Sequence, residues 1–279
     1  MESAEIRLLG VGDNCVDAYG PPVERRFPGG NVLNVVANWL LRGVRARYAG
    51  SVGDDRDGGL IRAGLAALGD DGAFLRTVPG GKTGVSRIAL GATGEATVVD
   101  EAYGVSGEPP LTQELWAFVR RTRPLVHLST NGGALRAVRF LRDTGAAFSL
   151  DVGDHWGELE APERRALMSA ARYVFVSAGP GPDDRTVDRL AAAMAREGPE
   201  VVLVGRGSRG VRGLYAGAVV SRPSLLEAPP VDSLGAGDAL VAGVLAAAVR
   251  GASVDDQLRE GLGWAADACR HLGAFSLPA

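Results

Sequence analysis

The run Val231-Asp232-Ser233-Leu234-Gly235-Ala236-Gly237-Asp238-Ala239-Leu240-Val241-Ala242-Gly243 places two glycines around Ala236, follows them with an aspartate, and enters an Ala-rich stretch reaching Arg250. That stretch reads as helix, which puts the backbone N–H groups of residues 235–238 at its N-terminus. The first four N–H groups of a helix have no intrahelical partner, and the dipole there favours negative charge. Such an end binds anions, and the glycines let a phosphate approach the backbone. A carboxylate beside a bound phosphate would repel it, yet Asp238 makes sense if it takes a proton from an attacking hydroxyl. The plain alternative is a helix start stabilised by an acidic residue in its first turn.

A second run, Phe27-Pro28-Gly29-Gly30-Asn31-Val32-Leu33-Asn34-Val35-Val36-Ala37, again opens a helix with a double glycine. Asn31 and Asn34 stand three residues apart on one helical face. Their amides both donate and accept, which suits sugar hydroxyls. Asn31 also reads as a simple N-cap. Asn34 resists that explanation, because it falls inside the helix, where Asn is a weak former.

Three glycine patterns mislead. Gly205-Arg206-Gly207-Ser208-Arg209-Gly210 has the letters of a dinucleotide fingerprint, but a helix must follow to hold the pyrophosphate, and Val211–Val220 reads as a strand pair. Gly81-Lys82-Thr83 resembles the end of a P-loop, but Arg76 stands at the required upstream glycine and a strand follows. Gly10-Val11-Gly12 follows a strand, but Cys15 replaces the third glycine, leaving a tight turn.

These residues need elements to hold them. Ile6–Val11, Arg47–Val52, Leu125–Ser129, Ala147–Val152, Tyr173–Ser177 and Val201–Gly205 read as strands. Asn31–Arg42, Ala134–Asp143, Pro162–Ala171 and Thr186–Arg196 read as helices between them. Strands alternating with helices predict a three-layer α/β fold with a mostly parallel central sheet. Val16–Phe27 and Gly84–Tyr103 break that rhythm as strands without crossover helices, the second turning at Gly91-Ala92-Thr93-Gly94. They predict a small β appendage on one domain spanning residues 1–279.

Composition narrows the class. Hydrophobic residues make up 46% and charged residues 23% of 279, as in folded globular chains, so disorder is excluded. A net charge of −3 without a polybasic tract gives no nucleic-acid signature. Two distant cysteines, Cys15 and Cys269, fit neither a disulfide framework nor a zinc module and make a reducing cytoplasm the expected location. Met1 to Leu9 carries Glu2, Glu5 and Arg7, and the longest apolar run, Leu240–Val249, is half of the ~20 residues a membrane span needs.

The pair Gly29-Gly30-Asn31…Asn34 and Asp232-Ser233-Leu234-Gly235-Ala236-Gly237-Asp238 resembles the two signatures of the ribokinase-like, or PfkB, carbohydrate kinases. Val52-Gly53-Asp54-Asp55-Arg56-Asp57-Gly58 is similar to a further family segment. The resemblance implies a ribokinase-like fold with a β lid at about residues 16–27 and 84–103, and ATP-dependent phosphorylation of a sugar hydroxyl with Mg2+ carried by the nucleotide. It implies Asp238 as catalytic base and Gly235, Ala236 and Gly237 as an anion hole. Asp17, Gly29, Gly30 and Asn34, with Asp13 and Asn14 beside them, match sugar-binding positions. Gly207 and Gly210 fall beside the nucleotide, and Ala265, Ala268 and Gly273 fall at its adenine wall. The segments Gly12–Asp17, Gly29–Val35 and Ala265–Phe275 resemble family members acting on fructosamines such as fructoselysine, and a homodimer through the lid is a further expectation.

Two departures stand out. Gly205 replaces a threonine common in the loop near ATP. The family's Asn-x-x-Glu motif should fall near Ser177–Asp184, where neither Asn nor Glu occurs; Asp183 or Asp184 is the available substitute, so the metal ligands stay open. Two other readings remain: a nucleoside kinase, for which Tyr19, Phe27 and Tyr103 are the aromatic candidates, and a non-catalytic sugar- or nucleotide-binding relative.

Overall fold

The computed structural model describes residues 7–154 and 160–277; Ile6, read as the start of the first strand, lies outside them. In chain order the elements are β1 (Leu8–Val11), β2 (Cys15–Tyr19), β3 (Arg26–Gly29), α1 (Asn31–Leu41), β4 (Ala46–Gly53), α2 (Arg56–Ala67), β5 (Phe74–Val78), β6 (Val85–Leu90), β7 (Ala96–Ala102) and α3 (Gln113–Thr122). After them come β8 (Leu125–Ser129), α4 (Ala134–Leu141), β9 (Ala147–Asp151), α5 (Ala161–Ala170), β10 (Ala171–Ser177), α6 (Asp184–Ala195), β11 (Val201–Gly205), β12 (Val211–Tyr215), β13 (Ala218–Arg222), α7 (Ala236–Val249) and α8 (Val254–Ala268).

The large sheet has the order β13-β12-β11-β10-β9-β8-β1-β4-β5. It is parallel from β5 through β11, and β12 and β13 close it as an antiparallel hairpin. Alternate residues of single strands bury into two different cores. Leu8, Val201 and Leu203 pack with α1, α7 and α8, whereas Leu9, Val202 and Val204 pack with α3, α4, α5 and α6. Helices on both faces explain why these strands read as continuous apolar runs instead of alternating ones. Between β11 and β12 lies only a single 3-10 turn, Gly207–Arg209, followed by a strand and not by an α-helix, which disposes of a dinucleotide fingerprint there.

Helix α7 is apolar almost all round because α1 and α8 flank it. The Trp39 indole N–H donates to the Ala242 carbonyl at 2.9 Å and locks α1 against α7. This contact fixes the two glycine-led helix starts side by side. Among the described residues no helix is long and apolar enough to cross a membrane.

A second sheet has the order β3-β2-β6-β7. The two segments set apart in the sequence therefore pair with each other, Val16 opposite Val85 and Tyr19 opposite Ile88. The β6–β7 hairpin turns through Gly91 and Gly94, and its tip docks on the loop before α7. There Ser233 N–H donates to the Gly94 carbonyl at 2.8 Å, and Ala96 N–H donates to Ser233 Oγ at 3.0 Å. Helices α2, α3 and α8 and strand β5 had no distinct sequence reading. Three internal glycines, Gly58, Gly59 and Gly64, blur the pattern of α2, and partly exposed residues blur that of β5.

Candidate active site

Carboxyl ends of parallel strands are where open α/β sheets bind ligands. Here β1 leads to Asp13 and Asn14, β8 to Asn131, and β9 ends on Asp151. A cavity between these ends and the small sheet is lined by Asp13, Asn14, Cys15, Asp17, Gly30, Asn31, Asn34, Ser86, Glu101, Tyr103, Asn131 and Asp238, among others.

Asp238 sits in the first turn of α7, whose N-cap is Gly235. The Asn34 amide donates to Asp238 Oδ2 at 2.8 Å, so a residue awkward inside a helix is explained by its partner on the neighbouring helix. Asn34 Oδ1 is buried and has no hydrogen-bond partner. Burial, and then the charge of Asp151, push the Asp238 carboxyl well above the usual carboxylate range. A more basic carboxylate is a better proton acceptor once ionised.

The two glycines beside Ala236 do different jobs. Gly235 has φ +76°, and a Cβ there would lie 2.6 Å from the Ala274 Cα, so only glycine fits the turn. Around Gly237 an added Cβ would meet only Ser177 Oγ, at 4.0 Å. The protein itself leaves that space open, on the face where the free N–H groups of α7 begin.

The sugar-side candidates gather as one group. Burial raises Asp13 to about 6 and Asp17 to about 7. Asp13 Oδ2 accepts the Asn31 N–H at 2.7 Å, while its Oδ1 is buried without a partner. Asp13 thus satisfies the start of α1 from across the chain. This corrects the N-cap reading of Asn31: Gly30 is the N-cap, and Asn31 is the first helical residue. Asp17 Oδ1 accepts from the Cys15 thiol at 3.3 Å, and its Oδ2 is buried without a partner. Gly29 does not line the cavity; its part is to seat Asp17, since a Cβ there would stand 1.9 Å from Asp17 Oδ2. Asn14 is committed to the scaffold. Its amide donates to Tyr48 Oη and the Ser51 carbonyl, and its Oδ1 accepts from Ser106, so it shapes the floor and has little left for a ligand.

The nucleotide-side candidates do not join this cavity. Gly207 and Gly210 lie in the β11–β12 connection, and Ala265 and Ala268 lie at the end of α8. Ala268 is buried. Gly273, expected at the adenine wall, donates its N–H to Asp232 Oδ2 at 2.9 Å, and its Cα faces the Phe27 ring. The two acidic substitutes for the missing motif are also engaged elsewhere. Asp183 caps α6 through the Thr186 N–H at 2.7 Å, and Asp184 pairs with Arg206, Arg209 and Arg212.

Several residues of the site escaped the sequence reading. Asp232 is buried and accepts from the Tyr19 hydroxyl, the Leu234 N–H and the Gly273 N–H, tying the small sheet, the loop before α7 and the C-terminal segment together. Its only signal was membership of the second glycine run. Asp151 carried a signal in its position at the carboxyl end of a strand; burial raises it to about 6. Ser86, Glu101 and Asn131 had none.

The description "pfkB family carbohydrate kinase" matches residues 168–279. A fructokinase of Klebsiella pneumoniae is 30% identical over 261 residues, which cover 85% of this chain and 82% of that protein. The chain belongs to the PfkB family of carbohydrate kinases. A fructoselysine 6-kinase of Escherichia coli (strain K12) is 29% identical over 268 residues, covering 96% of this chain and 99% of its own. The structure of Arabidopsis thaliana ribokinase complexed with ribose and ATP superposes with a TM-score of 0.76 at 22% identity, over 97% of this chain and 94% of that one. The protein is therefore a ribokinase-like sugar kinase, a phosphotransferase with an alcohol group as acceptor.

Proposed function

We propose that this kinase transfers the γ-phosphoryl group of ATP to a hydroxyl of a ketose bearing an amine-linked substituent, a fructosamine such as fructoselysine. The observation that carries the catalytic part is the pair Asn34–Asp238 at the open N-terminus of α7. Asn34 holds one carboxylate oxygen of Asp238. As the sugar oxygen forms its bond to the γ-phosphorus and the bond to ADP breaks, Asp238 takes the hydroxyl proton and later releases it to solvent. A positioned general base contributes about 10²–10⁴ in rate. The N–H groups of Gly235, Gly237 and Asp238 at the start of α7 would meet the charge that builds on the transferring phosphoryl oxygens, whereas the Ala236 N–H, expected in the same anion hole, donates to the Ser233 carbonyl at 3.3 Å. Asp13, Asp17 and Asn34 accept hydrogen bonds from the sugar through their unpartnered oxygens. The small sheet acts as a lid that keeps water, a competing acceptor, away from the phosphoryl group.

The nucleotide runs beside Gly207, Gly210 and Ala265. Mg2+ would be held largely by the phosphates it accompanies, with one or two carboxylates. Among the described residues no group of three His, Cys, Asp or Glu side chains is placed to hold a metal alone. Relatives acting on fructoselysine support the substrate class. The nucleoside reading has less support, since of Tyr19, Phe27 and Tyr103 only Tyr103 lines the cavity. The test is ATP consumption across ketoses, fructosamines and nucleosides. Fructosamines should give the highest kcat/KM; a nucleoside or free hexose ahead of every fructosamine would overturn the substrate class.

A further inference from the structure

The described residues that line the cavity include Asp13, Asp17, Glu101 and Asp238, and no Lys, Arg or His. A neutral polyol does not need this. Sugar hydroxyls both donate and accept, whereas carboxylates only accept. Two of the four have assigned tasks: Asp13 caps α1, and Asp238 is held by Asn34 at the transfer point. Asp17, whose unpartnered oxygen meets the substrate, and Glu101 have no such fixed task within the protein.

The register of the lid places these two together. Asp17 on β2 stands opposite Ser86 on β6, and Ser86 stands opposite Glu101 on β7. Residues directly opposite in neighbouring strands share a face, so all three project from the same side of the lid, and all three line the cavity. Adjacent strands are ~4.8 Å apart, which sets the two carboxylate-bearing positions roughly 10 Å apart across Ser86.

Every hydrogen-bond partner along this row is neutral. The Ser86 hydroxyl lies 3.3 Å from Cys15 Sγ and 3.4 Å from Glu101 Oε1, one proton for two acceptors. Tyr103 donates to Glu101 Oε2 at 2.8 Å, and the Cys15 thiol donates to Asp17 Oδ1. Asp17 is 3% exposed, and its Oδ2 has no partner. A buried acceptor without a donor is costly, and like charges on one sheet face repel, so the row is complete only when a cation enters.

We propose that Asp17 and Glu101, flanking Ser86 on the inner face of the lid, recognise the protonated amine of the substrate and make this kinase select cationic ketose derivatives over neutral ketoses. The proposal rests on the sugar-kinase reading above and assigns the amine its partners. Asp17 is deep in the cavity and Glu101 is exposed at its mouth. The sugar therefore lies on the Asp17 side, the ammonium N–H groups face the acidic row, and the substituent beyond the amine leaves past Glu101 into solvent. Selection thus falls on the charge at the nitrogen and is lenient toward the substituent that the nitrogen carries. A charge-assisted N–H to carboxylate bond is about twice as strong as a neutral one, which sets the scale of selection at about tenfold or more.

The test compares 1-amino-1-deoxyfructose, its N-acetyl amide and fructose, in wild type and Glu101→Gln, by kcat/KM for ATP-dependent phosphorylation and by calorimetric Kd. Wild type should favour the amine over both neutral sugars by at least about tenfold. Glu101→Gln should cut that ratio about tenfold with the melting temperature retained, as befits an exposed position. Equal handling of amine and amide by wild type would overturn the proposal, as would a variant that loses both in proportion. If none of the three is phosphorylated, the proposed reaction fails, and the binding preference alone decides the acidic row: preference for the amine upholds it, and its absence overturns it.

Discussion

The two sides of the proposed reaction are built on opposite principles. Under the small sheet, Asp13, Asp17 and Asn34 are buried side chains that each keep one oxygen without a partner. Around the loops 177–184 and 206–210, the charged side chains pair with one another and with backbone carbonyls, although the buried Arg206 Nε has no partner. Arg206 donates to the Pro182 carbonyl and pairs with Asp184; Arg209 donates to the carbonyls of Pro180 and Pro182; Arg212 grips Asp188 with two bonds, at 2.7 and 2.8 Å. The first region holds a shape whose hydrogen bonds wait for a ligand. The second holds its shape with its own ion pairs. The acidic residues that the sequence offers in place of the family's metal motif, Asp183 and Asp184, are engaged in capping α6 and pairing with the arginines of these loops.

The sharpest way to break this contrast is Gly237→Ala, at the junction of the two regions. The protein has room for the added methyl, so the melting temperature should hold while kcat falls about 10²-fold, the scale of losing a donor aimed at developing charge. A fall in both would mean that the space belongs to the fold and not to the phosphoryl group. Gly29→Ala attacks the sugar side. Its Cβ would collide with the Asp17 carboxylate, so it should cost about 1–3 kcal/mol in urea unfolding. It should also raise KM for the sugar about tenfold. Unchanged KM with the same stability loss would remove Asp17 from the binding site.

A smaller effect sharpens the account of the unpartnered acids. Asp17 is raised from 3.8 to about 7, so the folded state holds this proton more tightly than the unfolded chain. Its contribution to stability is present below about pH 4 and is lost as pH rises through 7. Without ligand, Asp17→Asn should melt several degrees above wild type at pH 8, and the gap should close by pH 4. A constant gap across that range would show that the Asp17 charge is not strained.

Much of this was legible because both glycine runs start helices, and a helix start is a local matter. Gly235, Gly237, Asp238 and Asn34 could be read from neighbours within a few residues. The alternation of strands and helices was equally visible, since both faces of the sheet are covered. The hidden part depends on register between distant strands. Glu101 lies in a stretch of exposed residues and becomes part of the site only because β7 aligns it with Ser86 and Asp17. Asp151, at the end of a strand remote in sequence, acts on Asp238 through its charge. The resemblance carried the position of Gly273 but not the buried Asp232 that accepts its N–H.

The central claim is that Asp238 accepts the proton of the attacking hydroxyl, and Asp238→Asn tests it directly. Asparagine keeps the size and can still accept from Asn34, but it cannot take the proton. With saturating ATP and the best fructosamine, kcat should fall by about 10²–10⁴, while the calorimetric affinity for the sugar and the melting temperature stay near their wild-type values or rise. An Asp238→Asn enzyme within a few fold of wild-type kcat would contradict the account and return Asp238 to the role of a stabilising residue in the first turn of a helix.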